Sequence, residues 1–210
     1  DSSIRLPEKS IDEIGTVAKS FNRMAASLHE KRLMEDKWRI HNEEQVWLHS
    51  NLSSIHNSLQ STYTIDMLSN QLLQEIAGLL GACCEVIYVI EEKEGQDDFY
   101  KLSGTYAIPQ EHHHLIKTIL KPGDGAAGQV ILSKDKVVLS GVTRDQIRIT
   151  TGLTEVEDAF VYVFPFLNNN KVEAVLELVT LDELSIIQQK FIEELGIVTG
   201  LLIRKIISQS

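Results

Sequence analysis

The feature that most constrains the fold is a run of apolar residues at heptad spacing in the first part of the chain. These residues recur three or four positions apart in two sets, which are Ile11, Ile14, Ala18, Phe21, Ala25 and Leu28, and then Leu48, Leu52, Ile55 and Leu59. Between the sets the same spacing falls on charged residues, so the register is interrupted. A stripe this narrow predicts a helix that pairs with a second helix in a coiled coil.

The length of this helix follows from the positions of helix-breaking residues. No glycine or proline occurs between Gly15 and Gly78, so a hairpin of two shorter helices lacks a turn signal. The sequence therefore predicts one helix from about Ile11 to Thr62, roughly 75 Å long at about 1.5 Å per residue. We expect it to form a homodimer, and the alternative is a helical hairpin that folds on itself.

The rest of the chain alternates between helix and strand patterns. The predicted helices cover residues 63–80, 112–119, 126–134 and 185–207, and the predicted strands cover 85–92, 99–107, 136–142, 159–166 and 171–181. Three asparagines, 168–170, form the turn of a hairpin between the last two strands. The pattern predicts an α+β domain with a mostly antiparallel sheet that is flanked by helices, and we expect these helices on one face.

Composition narrows the classes of function. The formal net charge of −10 disfavours a nucleic-acid partner, because phosphate backbones repel an acidic chain. The 43 % of apolar residues suits a packed core, yet there is no run of about 18 apolar residues that could span a bilayer. The only cysteines, Cys83 and Cys84, are adjacent, which argues against a structural disulfide and for a reducing compartment.

The first residues resemble the second half of a HAMP domain. The resemblance lies in residues 6–28, LPEKSIDEIGTVAKSFNRMAASL, with Asp12–Glu13–Ile14–Gly15 followed by Phe21–Asn22 and Met24. It implies a segment that joins a membrane-spanning part to cytoplasmic domains. We therefore expect three regions: HAMP over 1–28, a helical linker over 29–62 and a second domain over 63–207.

The second domain resembles a GAF domain of HAMP–GAF hybrid sensor histidine kinases. Several segments in order carry the resemblance: Trp47–Leu48, GDGAAGQVILSKDKVVLSGV (123–142), QIRITTGL (146–153), VFPFLNNNKVEAVLELVTL (163–181) and FIEELGIVTGLLI (191–203). In such proteins a kinase core or another output domain follows GAF. The resemblance implies a cytoplasmic sensory and transmitting part of a membrane-anchored sensor.

Several residues that could carry chemistry have a simpler reading. His49 and His56 lack the acidic residue that usually follows a kinase phosphoacceptor histidine. Consecutive histidines 112–114 point about 100° apart on a helix and cannot converge on a metal ion. The glycines of residues 123–129 lack the lysine and hydroxyl of a phosphate-binding loop. We expect no metal, no cofactor and no catalytic residue, and hence no enzymatic activity of these residues.

A small-molecule pocket is the remaining candidate site. We place it between the sheet and residues 142–158, with polar groups from Arg148, Thr150 and Thr151 and walls from Tyr106 and Tyr162. In the alternative, Arg148 pairs with loop groups and side chains fill the space. Two functions follow: a dimeric sensor whose GAF domain answers to a ligand, or a GAF domain that serves only as a ligand-free dimerisation module.

Overall fold

The first part of the chain is one long helix, as predicted. In this computed structural model, which describes residues 13–93, 95, 97–108, 116–143 and 158–209, helix α1 spans Glu13–Leu59. Internal contacts divide the chain into two compact units, Asp1–His49 and Ser50–Ser210, so α1 begins in the first and ends in the second. None of the described helices is apolar over a stretch long enough to cross a bilayer.

The predicted seam residues of α1 fall into two groups. The large side chains of the first set are exposed, and these are Ile14, Phe21 and Leu28. The other described members are buried, or partly buried in the case of Leu52, and these are Ala18, Ala25, Leu48, Leu52, Ile55 and Leu59. Ile11 lies outside the described residues. The pairing of two chains along this seam stays a prediction.

A short turn separates α1 from helix α2 (Ile65–Leu80). The Thr62 hydroxyl donates to the carbonyl oxygen of Leu59 at 2.6 Å, and the Thr64 hydroxyl accepts from the N–H of Met67 at 3.2 Å. These bonds satisfy backbone groups that a helix leaves open at each end. The side chains of Thr62 and Thr64 therefore stabilise the end of α1 and the start of α2, in a stretch without glycine or proline.

The second unit contains a six-stranded sheet in which every described pair is antiparallel. Its strands are β1 (Cys84–Glu91), β2 (Phe99–Tyr106), β3 (Ile119–Leu120), β4 (Val137–Thr143), β5 (Asp158–Asn168) and β6 (Lys171–Thr180), in the spatial order β3-β2-β1-β6-β5-β4. The helix expected over 112–119 is wrong in its described part, because residues 116–118 are irregular and β3 follows. There the N–H of Leu102 donates to the Thr118 carbonyl, so pairing with β2 outweighs the local pattern.

Helices cover both faces of the sheet, which corrects the expectation of helices on one face. On one face, α3 (Gly125–Ser133) packs through Val130 and Ile131 on alternate strand residues such as Val86 and Val163. On the other face, α4 (Ile186–Gln209) and α2 cover the large side chains between them, such as Phe166. Both faces are buried, so β1 and β6 consist mainly of unbroken apolar residues.

Helix α4 touches β5 at two positions that leave no room for a side chain. A Cβ atom on Gly196 would lie 2.6 Å from the Cδ1 atom of Phe166, and one on Gly200 would lie 2.6 Å from the carbonyl oxygen of Leu167. Glycine is therefore required at both positions for the helix to sit this close to the strand.

Candidate functional site

A cleft of about 370 Å³ lies between the sheet and the start of α3. Its lining residues come from β1, β6, the segment around β3 and the first turn of α3, and they are Cys84, Glu85, Val86, Tyr88, Ile108, Ile116, Lys117, Leu120, Asp124, Gly125, Ala126, Ala127, Glu177 and Val179. The volume is that of ordinary small-molecule sites, which are mostly apolar with a few polar groups. A larger groove at the β1–β2 turn has no buried residue among its described lining residues, so we regard the cleft as the candidate site.

One wall of the cleft is the amino-terminal turn of α3. The side chain of Asp124, the residue before the helix, does not cap it; its carboxylate accepts instead from the Lys121 N–H at 3.1 Å. A Cβ atom on Gly128 would lie 2.6 Å from the Lys121 carbonyl oxygen, so glycine lets the helix fold back on the preceding turn. The helix predicted over 126–134 is confirmed here, because α3 spans Gly125–Ser133.

The floor of the cleft carries two polar groups on an otherwise apolar face of the sheet. Glu177 lies opposite Val86 in the β1–β6 ladder, and Tyr88 lies opposite Val175. Glu177 and Tyr88 are therefore diagonal neighbours on one face, with Cα atoms about 7–8 Å apart. Tyr88 is 5 % exposed. Neither its hydroxyl nor the Glu177 carboxylate has a hydrogen-bond partner in the described part of the chain.

Burial controls the protonation of both groups. It raises the pKa of Glu177 above its usual range, because a carboxylate loses solvation when it leaves water. Burial also raises the pKa of Tyr88 to about 12, and the nearby charge of Glu177 adds to this effect. Both residues line the cleft, so the cleft holds polar groups that the described part of the fold does not use.

The other ionic groups at the cleft compensate one another. The Nζ atom of Lys117 lies 3.5 Å from a carboxylate oxygen of Asp124. The backbone N–H of Lys121, and then the charge of Lys117, lower the pKa of the Asp124 carboxyl. Glu177 is thus the one lining carboxylate at the α3 face without a cation beside it among the described residues.

The Cys84 thiol adds a small apolar group to the cleft. Burial raises its pKa to about 12, with smaller contributions from Cys83, Glu177 and Glu85, so the thiol stays protonated and unreactive at neutral pH. No three His, Cys, Asp or Glu side chains in the described ranges are placed to hold a metal ion together.

The two described residues that the sequence predicted as pocket walls, Tyr106 and Tyr162, lie elsewhere. Tyr162 is fully buried, and its hydroxyl accepts from the N–H of Leu184 at 2.8 Å. Its register opposite Leu178 places it on the face away from α3. Tyr106 lies opposite Glu85 on that same face. Neither tyrosine lines the cleft. Arg148, Thr150 and Thr151 lie outside the described residues.

A second buried acid is Glu85, which lines the cleft through its place in β1 but whose register opposite Tyr106 puts it on the face away from α3. It is 1 % exposed, and neither carboxylate oxygen has a partner among the described residues. Burial raises its pKa to about 8. At neutral pH this carboxyl is therefore held as the neutral acid.

On the same face, an ion-pair network joins α4 to the sheet, and we call it the Arg204 clamp. Arg204 donates from Nη2 to Glu173 at 2.6 Å and from Nε to Glu173 at 2.9 Å, and also from Nη1 to Glu92 at 2.8 Å. Lys171 contacts Glu92 and lies 3.0 Å from Asp98. Hydrogen bonds from Arg204 and Lys171 lower the pKa of Glu92 to about 2.

Sequence reasoning missed the polar groups of the cleft floor. A usable signal was present: β6 reads KVEAVLELVT, with acidic residues inside an otherwise apolar strand. Strands that are buried on both faces seldom carry charge without a purpose. Glu173 and Glu177 are the two residues that this signal would have selected.

Comparison with known proteins finds a family match at the start of the chain and a fold match for the sheet domain. Residues 1–30 match the HAMP domain family. No curated protein matches the chain. Among solved structures, the GAF domain of a phosphoenolpyruvate-protein phosphotransferase from Acinetobacter is 14 % identical, with a TM-score of 0.58 over 77 % of this chain and 95 % of that one.

Two further structures show the same fold. The A. aeolicus nlh2 GAF domain in an inactive state is 18 % identical, with a TM-score of 0.56 over 77 % of this chain and 98 % of that one. The free methionine-R-sulfoxide reductase from Neisseria meningitidis, in complex with its substrate, is 12 % identical, with a TM-score of 0.57 over 78 % and 92 %. The chain thus combines a HAMP match at its start with a long helix and an α+β domain of the GAF fold.

Proposed function

We propose that this chain is the sensory and signal-transmitting part of a membrane-anchored sensor, in which a small molecule in the α3 cleft regulates an output domain. A HAMP match together with a GAF fold suggests a signalling sensor, and HAMP domains are typical of membrane proteins. The observation that carries the proposal is the cleft floor, where Tyr88 and Glu177 offer polar groups that no described residue uses. A ligand would satisfy them.

Strand β6 supplies a route from the cleft to the last helix. Glu177 faces the cleft. Glu173 lies four residues earlier in the same strand, next to Val172, which packs on the α3 face. The Glu173 carboxylate is on the other face, where it accepts hydrogen bonds from Arg204 of α4. A ligand that pulls on β6 at Glu177 changes the position of the strand that anchors α4. The output domain in this proposal is a histidine kinase or another enzyme, and these residues carry no catalytic activity of their own.

The ligand-binding part of the proposal is tested by thermal unfolding with a library of metabolites. A compound that binds only the folded state raises its stability. Ala126 lines the cleft, so Ala126→Leu is expected to abolish the shift, while Gln129→Leu, at an exposed position of the same helix, leaves it unchanged. If no compound shifts the wild-type protein, or if Ala126→Leu leaves every shift intact, the ligand-free dimerisation module is the better description.

The transmitting part of the proposal requires a homodimer. Exposed Phe21 and Leu28 of α1 are seam residues that a partner helix would cover. Light scattering is expected to give a dimer for the wild-type chain and a monomer for Phe21→Glu, because a charge on the seam opposes pairing. Ser27→Glu, which adds the same charge at an exposed position off the seam, is the control. A wild-type monomer at micromolar concentration contradicts this part of the proposal.

A further inference from the structure

The polar groups of the cleft floor differ in kind from those of its walls, and this difference bears on the chemistry of the ligand. The floor offers the Glu177 carboxylate and the Tyr88 hydroxyl, while Val86, Val179 and Leu120 supply apolar surface around them. A carboxylate accepts hydrogen bonds, and a tyrosine hydroxyl accepts or donates one. The floor is therefore built for a group that donates hydrogen bonds.

The charges around the cleft favour a cationic ligand over an anionic one. Lys117 is engaged by Asp124 at 3.5 Å, and Asp124 also accepts from the Lys121 N–H. Glu177 has no cation of this kind in the described part of the chain. Asp124 lines the cleft beside the first turn of α3, and its negative charge opposes an anion there. An anion in the cleft would meet two carboxylates and a lysine that is already paired.

We propose that the cleft selects a compact, largely apolar molecule with a protonated amine, which binds Glu177 and the Tyr88 hydroxyl. This inference rests on the proposed function and names the ligand class of the same site. The ammonium group donates to the carboxylate in a setting that excludes much of the water, where charge-assisted hydrogen bonds are strong. The carbon skeleton contacts the valine and leucine side chains, which contribute affinity through apolar burial.

The test uses pairs of compounds that differ only in the charged group. Primary amines of rising size, from propylamine through benzylamine to naphthylmethylamine, are each compared with the alcohol of the same skeleton by calorimetry at pH 7.5. We expect at least one amine to bind about tenfold or more tightly than its alcohol. Glu177→Gln is expected to reduce this preference to about twofold or less, and Tyr88→Phe to weaken binding of the amine about threefold.

Glu183→Gln is the matched control, because Glu183 is exposed and away from the cleft; it is expected to keep the preference. Circular dichroism of each variant verifies that it is folded. Equal binding of amine and alcohol, an unchanged preference in Glu177→Gln, or no amine binding across the panel overturns the inference. Alcohols that bind as well as the amines, and that Ala126→Leu excludes, would leave the proposed function intact while refuting the amine class.

Discussion

Replacement of Arg204 by methionine tests how α4 is fixed to the sheet. The variant removes both donors to Glu173, a carboxylate that is 1 % exposed. Among the described residues, Asn168 is the remaining donor to Glu173, and its Nδ2 atom, 3.5 Å away, is too distant to replace them. A buried charge that loses its partner destabilises a protein by about 3–5 kcal/mol, and we expect a loss of this size for Arg204→Met.

The magnitude comes from Glu173 and not from Glu92. The side chain of Glu92 is 38 % exposed and keeps Lys171 as a partner, so water and the lysine compensate it and its contribution is small. Substitution of both partners, Arg204→Met with Glu173→Met, removes the buried charge. The double variant is therefore expected to recover most of the stability, because apolar pairs of similar volume often match a buried ion pair.

The assay is urea unfolding followed by far-UV circular dichroism, with hydrogen exchange of β6 amides to locate the change in the second unit. Lys190→Met is the control on the same helix, because Lys190 is exposed and its partner Glu194 is also in contact with water, and surface changes stay within about 0.5 kcal/mol. A loss below about 1 kcal/mol in Arg204→Met, or a double variant no more stable than the single one, would show that Arg204 does not compensate a buried charge on Glu173.

Three further predictions concern stability. Folded Glu85 keeps its proton up to a pKa of about 8, whereas the unfolded chain loses it near pH 4.5. Stability should therefore fall as pH rises between these values, and Glu85 contributes at most about 1.4 kcal/mol per pH unit. Denaturation from pH 5 to 8 should show the same slope in wild type and in the exposed control Glu183→Gln, and a clearly shallower slope in Glu85→Gln, where the raised pKa of Glu177 still contributes. Gly196→Ala places a Cβ atom 2.6 Å from the ring of Phe166 and should lower the free energy of unfolding by about 1–3 kcal/mol; a gain in melting temperature would contradict the close contact. Thr64→Ala removes the cap of α2 and should cost about 1 kcal/mol in urea unfolding, and an unchanged midpoint would show that the cap contributes nothing.

The fold could be predicted from the sequence wherever local pattern and tertiary environment agree. Helix α1 follows from its heptad spacing and the lack of breakers, and the hairpin of β5 and β6 follows from its asparagine turn. The helix predicted over 112–119 is wrong around Ile119, because the apolar spacing there suits a helix while the backbone of Ile119 pairs with Lys101 of β2. Pairing of that kind depends on a distant strand, which no local pattern reports.

The candidate site could be predicted only in outline. The sequence predicted a pocket between the sheet and residues 142–158, of which 144–157 lie outside the described residues. The described residues form a cleft between the sheet and the start of α3, and the register of Tyr162 places it on the face away from that cleft. The register of a strand decides on which face of the sheet each side chain lies, since a shift of one residue exchanges the two faces. The register of β5 and β6 depends on how the hairpin and its bulge near Phe166 are formed, and a single sequence does not specify it.

The two glycine contacts of α4 couple the position of this helix to that of β5. Because Gly196 packs directly on the Phe166 ring and Gly200 directly on the Leu167 backbone, little space separates the helix from the strand, and a movement of β5 is transmitted to α4. Nine residues follow Gly200 in the helix, about 13 Å at about 1.5 Å per residue. A tilt of α4 by roughly 5° about Gly200 would displace the end of the helix by about 1 Å. A helix that continued beyond Gln209 would enlarge that displacement in proportion to its length.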